Sequence, residues 1–223
     1  MADEDYLTEE EQAEALKLWF KENWLWMTAG VVIALLLLAG WQRYQAYKVD
    51  RTSSAAQLLE QFAAAQNTDE AKAGSLLKQL SSDYGATPYA DQAHLLAAKQ
   101  AVQTGKYDDA AKELTVVMTS AADEQLRGVA RVRLARVLIQ QQKPDDALKL
   151  LVIDKAGAFA PQMHEVRGDA LYSKGDRTSA RAEYQAALDA YKNESGTDTS
   201  LLQLKADELN SDAPAVAQTQ PVK

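Results

Sequence analysis

Two histidines, two pairs of adjacent aspartates and no cysteine make up the reactive inventory of this 223-residue chain. His94 and His164 have no partner at the spacing a metal site needs, and without cysteine there is no thiolate nucleophile, thiolate ligand or disulfide. Asp108-Asp109 and Asp145-Asp146 would suit acid–base chemistry by type. Each pair, however, opens a helical pattern, where a carboxylate satisfies free amides and meets the positive end of the helix dipole. No Gly-rich phosphate loop and no Gly-x-Ser-x-Gly elbow is present. The residues argue against an enzyme and call for no cofactor or metal. The two histidines read as packing residues between helical pairs.

The elements that position these residues are helices. Apolar residues recur at spacings of three and four, as in Leu134, Val137 and Leu138, and no period-two strand is evident. Helices are predicted near 7–21, 23–66, 69–83, 88–103, 107–120, 123–141, 144–154, 160–173, 177–192 and 199–209. The stretch 211–223, with Pro214 and Pro221, is predicted to be a disordered tail.

A repeat emerges when the turns are aligned. Gly105-Lys106-Tyr107-Asp108-Asp109-Ala110, Gln142-Lys143-Pro144-Asp145-Asp146-Ala147 and Gly175-Asp176-Arg177-Thr178-Ser179-Ala180 place their alanines 37 and 33 residues apart. A helical hairpin of about 34 residues is the tetratricopeptide period. Leu114, Leu151 and Tyr184 follow four residues after each alanine, on the same face. The first helices carry a small residue at a matching place, Ala97-Ala98, Ala135 and Gly168, and a weaker unit lies around Ala73. The fold class is therefore all-α, a tetratricopeptide-like array of about three to four repeats.

In such an array the first helices line a concave face. The inward positions are Leu95, Lys99 and Val102, then Val132, Arg136 and Ile139, then Tyr172. Together they suggest a groove for a peptide or partner protein. The alternative is that the helix at 199–209, with Leu201, Leu202, Leu204 and Leu209, folds back and covers the array.

Ahead of the repeats, residues 23–42 run without a charge from Asn23 to Gln42. Twenty helical residues span roughly 30 Å, the thickness of a bilayer's hydrocarbon core. Trp24, Trp26, Trp41 and Tyr44 sit at its ends, as interfacial aromatics do. The run exceeds a signal peptide's apolar core, and no cleavage site follows. It reads as an uncleaved anchor. Most of the formal net charge of −8 precedes it, where Asp3, Glu4, Asp5, Glu9, Glu10, Glu11, Glu14 and Glu22 face only Lys17 and Lys21. Neither side has a broad basic surface for nucleic acid. Orientation follows nearby lysine and arginine, and Lys17 and Lys21 against Arg43, Lys48 and Arg51 leave it open.

Several stretches resemble the YfgM family of membrane-anchored, tetratricopeptide-like bacterial proteins associated with the Sec translocon. They are Arg133-Leu134-Ala135-Arg136-Val137, Arg167-Gly168-Asp169-Ala170-Leu171 with Ser173-Lys174-Gly175-Asp176, and Leu202-Gln203-Leu204-Lys205. The acidic tail, the early anchor and the Gln45–Arg51 exit segment match in arrangement, and only residues beyond about 210 look additional. The resemblance implies an inner-membrane protein with a cytoplasmic tail (1–22), a transmembrane helix (23–42), a juxtamembrane helix (43–53) and a periplasmic repeat domain (54–210). It implies SecYEG and a PpiD-like periplasmic chaperone as partners, the handing of secreted chains to periplasmic chaperones, and contact of the tail with an envelope-stress response regulator. From the residues alone, a cytoplasm-facing adaptor anchored to another membrane complex stays open.

Overall fold

The computed structural model describes residues 9–192 and 197–211. Among these residues there are nine α-helices, two short 3-10 turns and no strand. The chain divides into two units, Met1–Ser53 and Ser54–Lys223. The expected disordered tail beyond Ser211 and the first eight residues lie outside the described residues.

Helix α1 runs unbroken over Glu9–Ala65, where the sequence pattern suggests two helices parted near residue 22. Asn23, a residue that often caps a helix, instead donates its side-chain amide to the Trp19 carbonyl at 2.9 Å. Neighbouring Glu22 is a good helix former, so nothing stops the chain there. Among the described residues this is the one helix long and apolar enough to cross a membrane, and none of its apolar stretch is buried within the protein. At the C-terminal end of that stretch, Lys48 lies over the Tyr44 ring at 5.4 Å. Arg51 donates to the Tyr47 hydroxyl at 2.6 Å. Aromatic rings with cations one turn away suit the headgroup layer, where an apolar body and a polar tip are both satisfied.

The second unit is a stack of helical pairs. The end of α1, from Ser54, pairs with α2 (Glu70–Asp83), burying Ala55, Phe62, Ala73, Leu76 and Leu80. Then α3 (Pro88–Gln103) pairs with α4 (Tyr107–Ser120), α5 (Glu124–Gln140) with α6 (Pro144–Leu150), and α7 (Ala160–Ser173) with α8 (Arg177–Tyr191). One cluster joins α3, α4 and α5 through Ala98, Ala110, Leu114, Val117, Ala130 and Leu134. The repeated alanines Ala110, Ala147 and Ala180 are fully buried, because only a methyl group fits where the helices of a pair meet. Gly168 holds a still tighter place: a Cβ there would lie 2.3 Å from the Tyr184 ring. Finally α9 (Ser200–Ser211) buries Leu202, Ala206 and Leu209 on α8, at the i, i+4, i+7 spacing of one helical face.

The turns α3–α4, α5–α6 and α7–α8 each contain one left-handed residue. Gly105 (φ 72°) and Gly175 (φ 83°) supply it without steric cost, while Gln142 adopts it at φ 61° against the usual preference. The third pair departs from the sequence reading. Helix α6 ends at Leu150 and not at 154, and the chain continues as 3-10 turns at Ile153–Lys155 and Gly157–Phe159. Val152 and Ile153 are β-branched and weak helix formers. Leaving the helix also lets Leu151 and Ala156 enter the core against Met163 and Val166.

Candidate functional site

The turn aspartates behave as structural groups. Asp109 pairs with Lys112 and Asp146 with Lys149, each three residues along its own helix. Their outward neighbours tie one pair to the next: Asp108 accepts from the Gln141 side chain at 3.0 Å, and Asp145 from Lys174 at 2.5 Å. Of the residues expected to open the second helices, Asp176 caps by its side chain, accepting from the Ser179 amide at 3.0 Å. Helices α4 and α6 begin without such a cap, so Asp108, Asp109, Asp145 and Asp146 act from the first turn.

The histidines prove more specific than packing residues. His94 Nδ1 lies 2.5 Å from Glu113 Oε2, and His164 Nδ1 lies 2.7 Å from Glu183 Oε2. Each joins the first and second helices of its own pair. Glu183 also accepts from Arg167 Nε at 2.8 Å. On its other side His94 Nε2 meets Ser81 Oγ at 2.9 Å, which gives a serine–histidine–glutamate line. Ser81 also donates to its own helix, to the Leu77 carbonyl at 2.7 Å, and the cavity beside Glu113 is not lined by Ser81. The Ser81 proton is thus engaged within its own helix, and the line ties α2, α3 and α4 together. Near it Asp91 is buried. Burial raises its pKa, the charge of His94 opposes the rise, and Asp123 adds to it.

A shallow hollow of about 920 Å³ lies between α4 and α6, and a groove of about 630 Å³ with a more apolar lining runs between α3 and α5. Leu95, Lys99 and Val102 line one wall and Arg133, Arg136 and Ile139 the other, with Tyr107 at the end and Leu114 beneath. Five of the seven expected positions meet here: Leu95, Lys99, Val102, Arg136 and Ile139. Val102 is 40 % exposed, so its apolar surface faces solvent. Helix α9 does not fill this space; it lies on α8, at the far end of the stack.

The family model of a tetratricopeptide repeat-like domain matches residues 17–211. An ancillary SecYEG translocon subunit of Escherichia coli (strain K12) is 31 % identical over 185 residues, covering 83 % of this chain and 89 % of the relative. The chain belongs to this YfgM family of ancillary SecYEG translocon subunits. The family's subunit from Neisseria gonorrhoeae (strain ATCC 700825 / FA 1090) is 30 % identical over 206 residues, 92 % of this chain and 98 % of the relative. That from Aggregatibacter actinomycetemcomitans is 28 % identical over 203 residues, 91 % of this chain and 98 % of the relative. The name is that of a non-enzymatic kind of protein. No solved structure matches the chain.

Two expected groove residues of this YfgM-family chain lie elsewhere. Val132 is 4 % exposed and packs with Met163 and Val166 of α7, so its side chain belongs to the core. Tyr172 is exposed, donates to Glu208 of α9 at 3.4 Å and stacks under Arg177. Sequence reasoning passed over Tyr107, Arg133 and Asp169, which also line the groove. The offset that places Arg136 one residue after Ala135 also places Asp169 one residue after Gly168, and was the available signal.

Asp169 belongs to a polar network that closes the α7–α8 pair. Lys205 of α9 donates to Glu165 at 3.1 Å and to Asp169 at 2.8 Å, and the Tyr184 hydroxyl donates to Asp169 at 2.9 Å. Burial opposes the charge on Lys205, yet the hydrogen bond and charge of Asp169, with the charge of Glu165, carry its pKa above the ordinary value. Burial and the Asp169 carboxylate push the Tyr184 phenol upward, which keeps it a donor.

Proposed function

We propose that this chain is an inner-membrane subunit associated with SecYEG, and that its repeat domain is a docking platform for polypeptides at the translocon. Family membership supports the association. The observation that carries the platform is the open groove between α3 and α5, apolar within and cationic at its rim, in a chain with one helix, among the described residues, long and apolar enough to cross a membrane. A repeat array tethered at the exit raises the effective concentration of partners emerging there. In this reading the acidic N-terminal segment lies in the cytoplasm and meets an envelope-stress response regulator. The repeats lie in the periplasm and pass secreted chains to a PpiD-like chaperone.

Two experiments test it. Isolation of the full chain from membranes in mild detergent is expected to bring SecYEG and the PpiD-like chaperone with it; their absence would contradict the association. Protease added to spheroplasts is expected to remove the repeat domain and spare the N-terminal segment. The reverse pattern would make the chain a cytoplasm-facing adaptor.

A further inference from the structure

The three first helices can be aligned on their small residues, Ala98, Ala135 and Gly168. One residue further stand Lys99, Arg136 and Asp169, and four residues further stand Val102, Ile139 and Tyr172. At these positions α3 and α5 carry cations and α7 an acid.

The acid on α7 is used twice over. Glu165, three residues before Gly168, faces Arg136 of α5 at 3.6 Å and Lys205 of α9 at 3.1 Å. Asp169 takes Lys205 and the Tyr184 hydroxyl. Charges therefore alternate along this edge of the stack: positive on α5, negative on α7, positive on α9. The alternation breaks between α3 and α5. Lys99 and Arg133 line the groove, both are exposed, and neither forms an ion pair among the described residues. Asp169, the acid at the groove's edge, already serves two donors. The apolar surface of Leu95, Val102 and Ile139 lines the same groove as these cations.

We infer that the groove between α3 and α5 selects an apolar polypeptide segment that carries carboxylates. The partner's acid stands where α7 supplies one to its neighbours, and its apolar side chains cover Leu95, Val102 and Ile139. This rests on the docking-platform reading above. Carboxylates gain from Lys99 and Arg133 because the apolar walls displace water beside them. A basic segment meets three cations, and juxtaposed like charges cost binding energy. Residues 212–223 carry one acidic side chain, Asp212, and one cation, Lys223, a poor match to the same rim.

The test uses the full chain in detergent micelles and three fluorescein-labelled peptides of equal length. All share one leucine–alanine pattern, with glutamate, glutamine or lysine at the remaining positions. The glutamate peptide is expected to bind about tenfold more tightly than the glutamine peptide at low salt, with the advantage shrinking as salt is raised. Lys99→Glu combined with Arg133→Glu is expected to reverse the order in favour of the lysine peptide. Lys112→Glu on α4, away from the groove, is expected to change nothing. Equal binding of glutamate and glutamine peptides, both lost in Val102→Asp, overturns the acidic preference while leaving the groove as a docking site. No binding of any peptide, with SecYEG still co-isolating from Val102→Asp, overturns the groove itself. Binding that appears only after removal of residues 212–223 assigns the groove to the chain's own tail and also overturns the inference. So does self-association abolished by Lys99→Glu, which would assign it to a second copy.

Discussion

The α7–α8 pair and the two pairs ahead of it are built on one plan and finished differently. At the α7–α8 pair the chain supplies its own cover: Leu202, Ala206 and Leu209 of α9 bury on α8, and Lys205 pairs with Glu165 and Asp169. Glu208 of α9 also meets Tyr172 of α7, whereas at α3 and α5 the positions matching Asp169 and Tyr172 stay open, with Val102 40 % exposed and Lys99 and Arg133 turned to solvent. Stacked repeats bury each face against a neighbour, so the terminal one needs a cap. The covered face serves stability. The uncovered face is free to bind.

The largest expected effect lies at the covered end. Leu202→Ala removes a nearly buried side chain from the contact of α9 with α8 and is expected to cost about 2–5 kcal/mol of repeat-domain stability. Denaturant unfolding measures it, and hydrogen exchange is expected to show α9 losing protection first. If α9 kept full protection, the contrast between the two faces would fail.

A smaller loss is expected for Lys205→Met, about 1–2 kcal/mol at neutral pH, because two carboxylates lose a hydrogen-bonded cation. Its pH dependence has a definite sign. The folded state raises the pKa of Lys205 above the ordinary 10.5, so its contribution is complete below that value and fades as pH rises through the folded value. The gap between wild type and variant is therefore expected to close under alkaline conditions. A gap that widened there would contradict the network.

Gln142→Gly sharpens the comparison between turns. It relieves a left-handed glutamine where the flanking pairs use glycine, and is expected to stabilise the domain by about 1 kcal/mol, read as a raised denaturant midpoint. The smallest stability change, within about 0.5 kcal/mol, is expected for Lys99→Glu, which touches no buried contact. A large loss of stability in that variant would mean that Lys99 is structural.

Much of this fold was readable from the residues, since the alanine spacing and the charge-free run each follow from one physical requirement. The helix-to-helix alanine must be small, and a bilayer tolerates no charge. Five groove positions followed from counting along the first helices. The same count put Val132 in the groove, but α7 packs across it, a tertiary fact that periodicity does not carry. The pairing of His94 with Glu113 and of His164 with Glu183 spans 19 residues in both cases. It was hidden because the middle pair has Arg131 and Leu150 at the corresponding places. The early end of α6 came from the weak helix propensity of Val152 and Ile153 acting together with the burial of Leu151 and Ala156. The division of the repeat face into covered and open parts depends on where α9 docks, and its leucines alone did not settle which helix they would meet.

A photoreactive side chain placed at Val102 or Ile139, with Val116 on the outer face of α4 as control, tests the docking role most directly in membranes that contain SecYEG. The expected result is crosslinking from Val102 and Ile139 to a Sec subunit, to its neighbouring chaperone or to an emerging secreted chain, and little from Val116. Equal yields from all three positions, or crosslinks from Val116 alone, would contradict the assignment of the α3–α5 groove as the working face.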